Sequence, residues 1–395
     1  MSRETARAPL HVACVLGTRP EAIKLAPVVL AARARPSRFR VTVVTTGQHR
    51  DMAGAALDAF ALGADIDLAV MEANQRPTDV LARVLLALPL ALDAARPDVV
   101  LVQGDTSSTL AGALCAFHAK IPVGHVEAGL RTDDRYSPFP EEMNRRLTSA
   151  VATLHFAPTR AARDRLLAEG TSPESVIVSG NTVIDALLLL RGRATAPPGL
   201  NVPPRSRLVL LTCHRRENHG ARMGEICAAV REIVAARPDV FIVCPVHPNP
   251  DVRSRMASEL GRVARVQLLE PVDYPHLLWL LDAATIVLTD SGGLQEEAPA
   301  FNKPVLVLRD VTERPEGIEA GVARLLGTDR AAIVAETLRL LDDPAEHGRM
   351  ARCGNPYGDG HAADRILDCL IDRIPQAAAP LGESEREWGP ASLNR

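Results

Sequence analysis

A chain of 395 residues is longer than one hydrophobic core usually organises, so two domains of ordinary size are expected. Its 47% hydrophobic and 24% charged residues exclude a disordered or fibrous protein. A formal net charge of -3 provides no broad basic field for nucleic acid or an anionic membrane, so any anion must be bound locally.

The opening stretch, residues 1–9, is short and polar, and a strand-like run follows it instead of a small-residue cleavage site, which argues against a signal peptide. No segment approaches the roughly 20 apolar residues of a spanning helix, and a cytoplasmic location is expected. Short β-branched runs at 11–16, 41–46, 98–102 and 122–126 alternate with longer amphipathic stretches, the pattern of a parallel sheet covered on both faces. After a proline-rich break at 196–204 the pattern resumes at 208–212, 240–244, 266–269, 286–288 and 305–308. The prediction is an α/β protein with two Rossmann-like, doubly wound domains, residues 1–180 and 181–355. A helix within about 356–375, centred on 362–373, should cross back onto the first domain. Residues 376–395, polar from Ser384 onwards, should form a flexible tail. Seven scattered cysteines without a C-x-x-C pair suggest neither a disulfide framework nor a zinc site.

Several motifs fall where these strands end. Gly17-Thr18-Arg19-Pro20-Glu21, with Lys24, opens a helix whose free N–H groups and two cations suit a phosphate, or else form a tight turn with solvated charges. Asp105, Glu127 and Glu141 cluster at the carboxyl ends of first-domain strands, where the ligand crevice of an open parallel sheet lies. Three acids there suit acid/base work or a metal, and spacing alone does not decide; Asp105 is equally placed to cap the helix expected at 106–117. In the second half, His214 beside Arg215 and Arg216 suits an anionic ligand, and His247 repeats that placement one strand later, where a structural histidine is the plainer alternative. Asp290-Ser291-Gly292-Gly293 is either a second phosphate site or a plain capped helix start, and Glu297 suits a ribose diol. Neither a Walker sequence nor G-x-G-x-x-G occurs, which weakens ATPase and dehydrogenase functions.

Taken in order, GTRPEAIK (17–24), TGQHRDM (46–52), QGDTS (103–107), HVEAGLRT (125–132), PFPEEMNRR (138–146), CHRREN (213–218), HPNP (247–250), TDSGGLQEEAP (289–299) and RDVTERPE (309–316) resemble the non-hydrolysing UDP-N-acetylglucosamine 2-epimerases over residues 10–373. The resemblance implies a GT-B pair of Rossmann-like domains, a homodimer, a UDP-sugar in the cleft, and no metal or nicotinamide cofactor. By motif, Asp105, Glu127, Glu141 and His214 match the family's catalytic positions. Arg19, Lys24, Ser291, Gly292, Gly293, Glu297 and Arg314 match those holding the nucleotide diphosphate. Gln48, His49 and His247 match a regulatory site for a second UDP-sugar. Two departures stand out. Leu277 occupies the uracil-packing segment where the family often has phenylalanine, and Asp51 stands where some members have glutamine, which puts activation by substrate in question.

The chemistry so implied is loss of UDP from carbon 1, which acidifies the proton on carbon 2, exchange of that proton by Asp105 and Glu127, and return of UDP to a 2-acetamidoglucal. Glu141 and His214 would support charge or the leaving group. The competing expectations are a GT-B glycosyltransferase, a hydrolysing epimerase, an epimerase of a modified UDP-acetamido sugar, and a silent UDP-sugar-binding protein.

Overall fold

Residues 8–374, apart from 49, 73, 74 and 133, are described in the computed structural model. The expected tail lies outside them. Two parallel sheets organise the chain. The first contains β1 (Leu10–Leu16), β2 (Phe39–Thr45), β3 (Ile66–Asp67), β4 (Val99–Gln103), β5 (Val123–Val126), β6 (Leu154–Ala157) and β7 (Val176–Val178), in the order β3-β2-β1-β4-β5-β6-β7. The second contains β8 (Arg207–Thr212), β9 (Val240–Pro245), β10 (Val266–Leu269), β11 (Ala284–Thr289), β12 (Val305–Val307) and β13 (Ala323–Leu325), in the order β10-β9-β8-β11-β12-β13.

All seven residues of β1 are buried, because helices cover both faces of its sheet and a continuous apolar run is what such a strand requires. The apolar runs in the sequence locate nine strands to within one or two residues of their ends. Four strands lack such a signal: β3, β6, β7 and β13 are two to four residues long, too short for a period to show.

Strand order reverses between β1 and β4 in one sheet and between β8 and β11 in the other. Helices leave opposite faces at such a point, so a crevice opens beyond the strands' carboxyl ends. The helix Ala362–Arg373 follows the second sheet yet lies against the first-domain helix Arg19–Arg33. Its Asp368 pairs with Arg35 at 3.2 Å, and Asp185 accepts hydrogen bonds from the N–H groups of Ala362 and Ala363 at 3.2 and 2.8 Å. Ile366, Leu367 and Leu370 bury its apolar face. No helix among the described residues is long and apolar enough to cross a membrane.

Candidate active site

The two switch points border one cleft of about 930 Å³, lined from the first domain by segments after β1, β4 and β5 and from the second by segments after β8, β9 and β11. Its walls differ in chemistry.

On the first-domain wall, the turn after β1 needs glycine: a Cβ at Gly17 would lie 2.2 Å from Ser108 Oγ and 2.3 Å from Thr46 Oγ1. Two of the N–H groups just ahead of the helix are taken by the protein itself. Glu21, fully buried, reaches back and accepts from Gly17 N at 2.9 Å and Thr18 N at 2.6 Å, while the hydroxyls of Thr106 and Thr109 donate to its other oxygen at 2.7 Å each. A carboxyl group at the third residue of the helix thus occupies the end where the dipole favours negative charge. Arg19, half-buried, lines the cleft and crosses to the second domain, where Nη1 donates to the Val272 carbonyl at 3.4 Å.

Asp105 follows β4 and faces the cleft. It does not cap the next helix, Ser107–His118; Thr106 does, accepting from Thr109 N at 3.1 Å. Asp105 is held instead by the helix Glu141–Val151: Arg145 Nη2 donates to its carboxylate at 2.7 Å and Asn144 Nδ2 to its carbonyl at 2.9 Å. Burial pushes its pKa up, against the pull of Arg145.

Glu127, just past β5, adopts φ 66°. A left-handed backbone at a non-glycine residue is strained, and such strain collects at functional sites. Its oxygens are engaged by Lys24, by Gln103 and by Asn181 Nδ2 at 2.9 Å. Burial alone would raise its pKa, but Lys24 and Arg314 outweigh burial and hold it below the usual carboxylate range.

Two adjacent acids divide at the start of the helix Glu141–Val151. Glu141 lines the cleft, and burial raises its pKa. Glu142 is fully buried and structural, accepting from Thr132 N at 3.0 Å and Arg146 Nε at 2.7 Å.

The second-domain wall begins with His214 after β8. Its N–H donates to Asp290 at 2.9 Å, and its ring stacks on His247, with centroids 5.2 Å apart and planes 9° from parallel. Burial is the main reason its pKa is lowered, and the neighbouring Arg215 adds to it. Buried Asp290 also accepts from Arg215 N and Asn218 Nδ2 at 2.9 Å each, so its role is to hold the turn that carries His214. Ser291, Gly292 and Gly293 line the cleft at the start of the short helix Gly292–Glu297, and the Ser291 hydroxyl makes no cap bond. A Cβ on Gly292 would meet the Arg314 guanidinium at 2.7 Å. Arg314 donates through Nε to Glu296 Oε1 at 2.7 Å, and its Nη1 lies 2.6 Å from Glu313 Oε1. Glu297 receives the Tyr274 hydroxyl at 3.4 Å; burial, reinforced by Glu296, pushes it up to about 7. Leu277 also lines the cleft.

Lys24 is the residue whose placement departs most from the sequence expectation. Nearly enclosed in the cleft wall, its ammonium is held in a cluster with Glu127 and, at 3.7 Å, Glu296. Burial opposes its charge, yet the two carboxylates outweigh burial and raise its pKa. Gln48 and His247 face the same cleft from opposite walls; His49 lies outside the described residues. Sequence reasoning missed Glu21, Arg145, Asn181 and Glu313. Arg145 lay within the PFPEEMNRR motif and was available to be found; Asn181 sits in an ordinary turn before a helix and gave no signal.

Two Rossmann-like domains, acids on one wall and a glycine-rich turn with an arginine on the other, define an enzyme of the GT-B class. Within that class the chain belongs to the UDP-N-acetylglucosamine 2-epimerase family, whose model, described by that name, matches residues 31–371. It is similar to the UDP-N-acetylglucosamine 2-epimerase of Escherichia coli K12, 48% identical over 370 residues, which span 91% of this chain and 98% of the relative. The enzyme of that name from Bacillus subtilis 168 is 47% identical over 362 residues, 92% of this chain and 95% of the relative. Among solved structures, UDP-GlcNAc 2-epimerase from Neisseria meningitidis bound to UDP-GlcNAc superposes with a TM-score of 0.87 at 42% identity, covering 92% of this chain and all of that one.

Proposed function

We propose that the protein interconverts UDP-N-acetylglucosamine and UDP-N-acetylmannosamine by elimination and re-addition of UDP. The observation that carries this reading is a pair of carboxylates, Asp105 and Glu127, at the ends of neighbouring strands in one cleft, with pKa values moved in opposite directions. Inversion at carbon 2 needs a base on one face and an acid on the other at the same pH, so the environments must separate the two groups.

Glu127, kept ionised, takes the proton from carbon 2. The C–H electron pair becomes the C1=C2 double bond, and the C1–O bond breaks towards the diphosphate. Asp105, its proton affinity increased by burial, delivers a proton to the opposite face of carbon 2 as the C1–O bond re-forms. One turnover leaves the proton on Glu127 and Asp105 ionised, which is the starting state for the reverse reaction. Glu141, its proton affinity also increased by burial, lines the cleft near Asp105 and supports charge there. His214 is neutral in the empty cleft; a diphosphate beside it raises its pKa and makes it a donor to the departing oxygen. Ser291, Gly292, Gly293 and Arg314 take the diphosphate, Arg19 neutralises it from the other domain, Glu297 accepts from the ribose, and Leu277 packs on the uracil. Lys24 acts on the ligand indirectly, through Glu127.

The enzyme works as a cytoplasmic homodimer that supplies a precursor for polysaccharide synthesis. Leu86, Leu90 and Phe117, exposed on the helices Pro77–Ala95 and Ser107–His118, support a second copy at that face. Turnover of UDP-N-acetylglucosamine in deuterated water, followed by proton NMR, tests the chemistry. The 2-epimer should form without acceptor or added cofactor and carry deuterium at carbon 2; product that retains the original hydrogen rules the scheme out.

A further inference from the structure

A buried chain of charges joins the two walls of the cleft. Lys24, on the first-domain helix Arg19–Arg33, sits between Glu127 and Glu296. Asn181 bridges the same two carboxylates, donating to Glu127 Oε1 at 2.9 Å and Glu296 Oε2 at 3.0 Å. Glu296 in turn accepts from Arg314 Nε at 2.7 Å, and Arg314 lies against the Gly292 turn. Each of these side chains is at least nine-tenths buried, so the charges act on one another without water between them.

We propose that Glu296, with Lys24 and Asn181, is a positioning relay through which a diphosphate at Arg314 strengthens Glu127 as a base. The inference rests on the epimerase reading above. Arg314 is shared by Glu296 and Glu313, and Lys24 stays with Glu127. An incoming diphosphate draws the guanidinium towards itself. Glu296 then lacks part of its counter-charge, and the nearest cation able to restore it is Lys24. As Lys24 moves towards Glu296, Glu127 loses the partner that holds its proton affinity down. The base is therefore weak while the site is empty and stronger once the leaving group is seated. The titratable groups facing Glu296 are Arg314, Lys24, Glu127, Glu297, Tyr274 and Tyr357, and of these only Lys24 bonds both Glu296's cluster and the reacting carboxylate.

The test compares two pH profiles of the full-length enzyme, kcat/KM for the empty site and kcat for the occupied one. The diphosphate of a UDP-sugar is a diester with no group titrating near neutrality, so the acidic limbs report the protein. In the unaltered enzyme the kcat limb should lie about one pH unit above the kcat/KM limb, the size expected for losing a close opposite charge. In Glu296→Gln, whose amide does not attract Lys24, the two limbs should coincide. Coincident limbs in the unaltered enzyme, or an equal gap in both proteins, would overturn the relay. Binding of UDP-glucose, whose diphosphate is likewise a diester, by calorimetry in two buffers of different ionisation enthalpy reads the same coupling without the acetamido sugar. Near pH about 5 the unaltered protein should take up protons on binding it, and Glu296→Gln and Lys24→Met should take up fewer. Equal proton uptake in all three proteins overturns the relay even if the epimerase reading holds. A protein that binds the diester with relay-dependent uptake but never epimerises UDP-N-acetylglucosamine defeats the epimerase reading alone.

Discussion

Gly292→Ala is the sharpest test of where the diphosphate sits. The added Cβ would lie 2.7 Å from both Cζ and Nη1 of Arg314 and 3.1 Å from Nε, inside van der Waals contact. Gly292 does not occupy the left-handed region, and alanine is favourable in a helix, so the backbone accepts the change. What must move is the guanidinium, pinned on its far side by Glu296 at 2.7 Å and Glu313 at 2.6 Å. Pushed onto those carboxylates, Arg314 no longer reaches the ligand. A hydrogen bond to a charged group contributes about 1.5–3 kcal/mol. UDP should therefore bind roughly 10- to 150-fold more weakly, with some loss of stability because the guanidinium is buried between two carboxylates. Calorimetric titration of UDP into both proteins, with unfolding followed alongside, measures each quantity. Binding within a factor of two on an intact fold would show that the diphosphate lies elsewhere.

Asp105→Asn keeps the shape and the Arg145 contact but carries no transferable proton; kcat should fall by about 10²- to 10⁴-fold with KM nearly unchanged, and deuterium wash-in at carbon 2 should fall in parallel. A change confined to KM would make Asp105 a binding residue. For Glu297 the folded pKa, about 7, stands above the usual 4.5, so its contribution to stability is complete below 4.5 and is lost as pH rises through about 7. The empty protein should lose melting temperature across that window, and Glu297→Gln should remove that part of the slope. UDP affinity should move the other way, rising over the same window because an ionised Glu297 accepts from the ribose; affinity that is flat from pH about 5.5 to about 8 would remove Glu297 from the nucleotide site.

Residues set at strand ends were legible, and residues that depend on a distant partner were not. Asp105, Glu127, His214 and Asp290 each follow an apolar run, and the switch-point geometry then delivers them to one crevice or to the turn beside it. GTRPE was legible as a helix start but not as an occupied one, because Glu21 is fixed by Thr106 and Thr109, hydroxyls more than eighty positions away. The cap fell to Thr106 and not to its neighbour Asp105 because Arg145 and Asn144, from another helix, claim the aspartate. Glu141 and Glu142 are identical in sequence terms; helical phase alone, about 100° per residue, turns one to the cleft and the other to Thr132 and Arg146.

Lys24 shows why charge near a helix start is a weak guide to ligand contact. Placed on the surface, it would have been one more cation for a diphosphate. Buried beside two carboxylates, it lowers the proton affinity of Glu127. Remove its charge and Glu127, desolvated, would gain proton affinity, the direction in which burial moves Asp105. On the Glu127 side one lysine and one arginine outweigh burial, and on the Asp105 side burial outweighs Arg145, so the two groups move apart in the directions that the proposed chemistry needs.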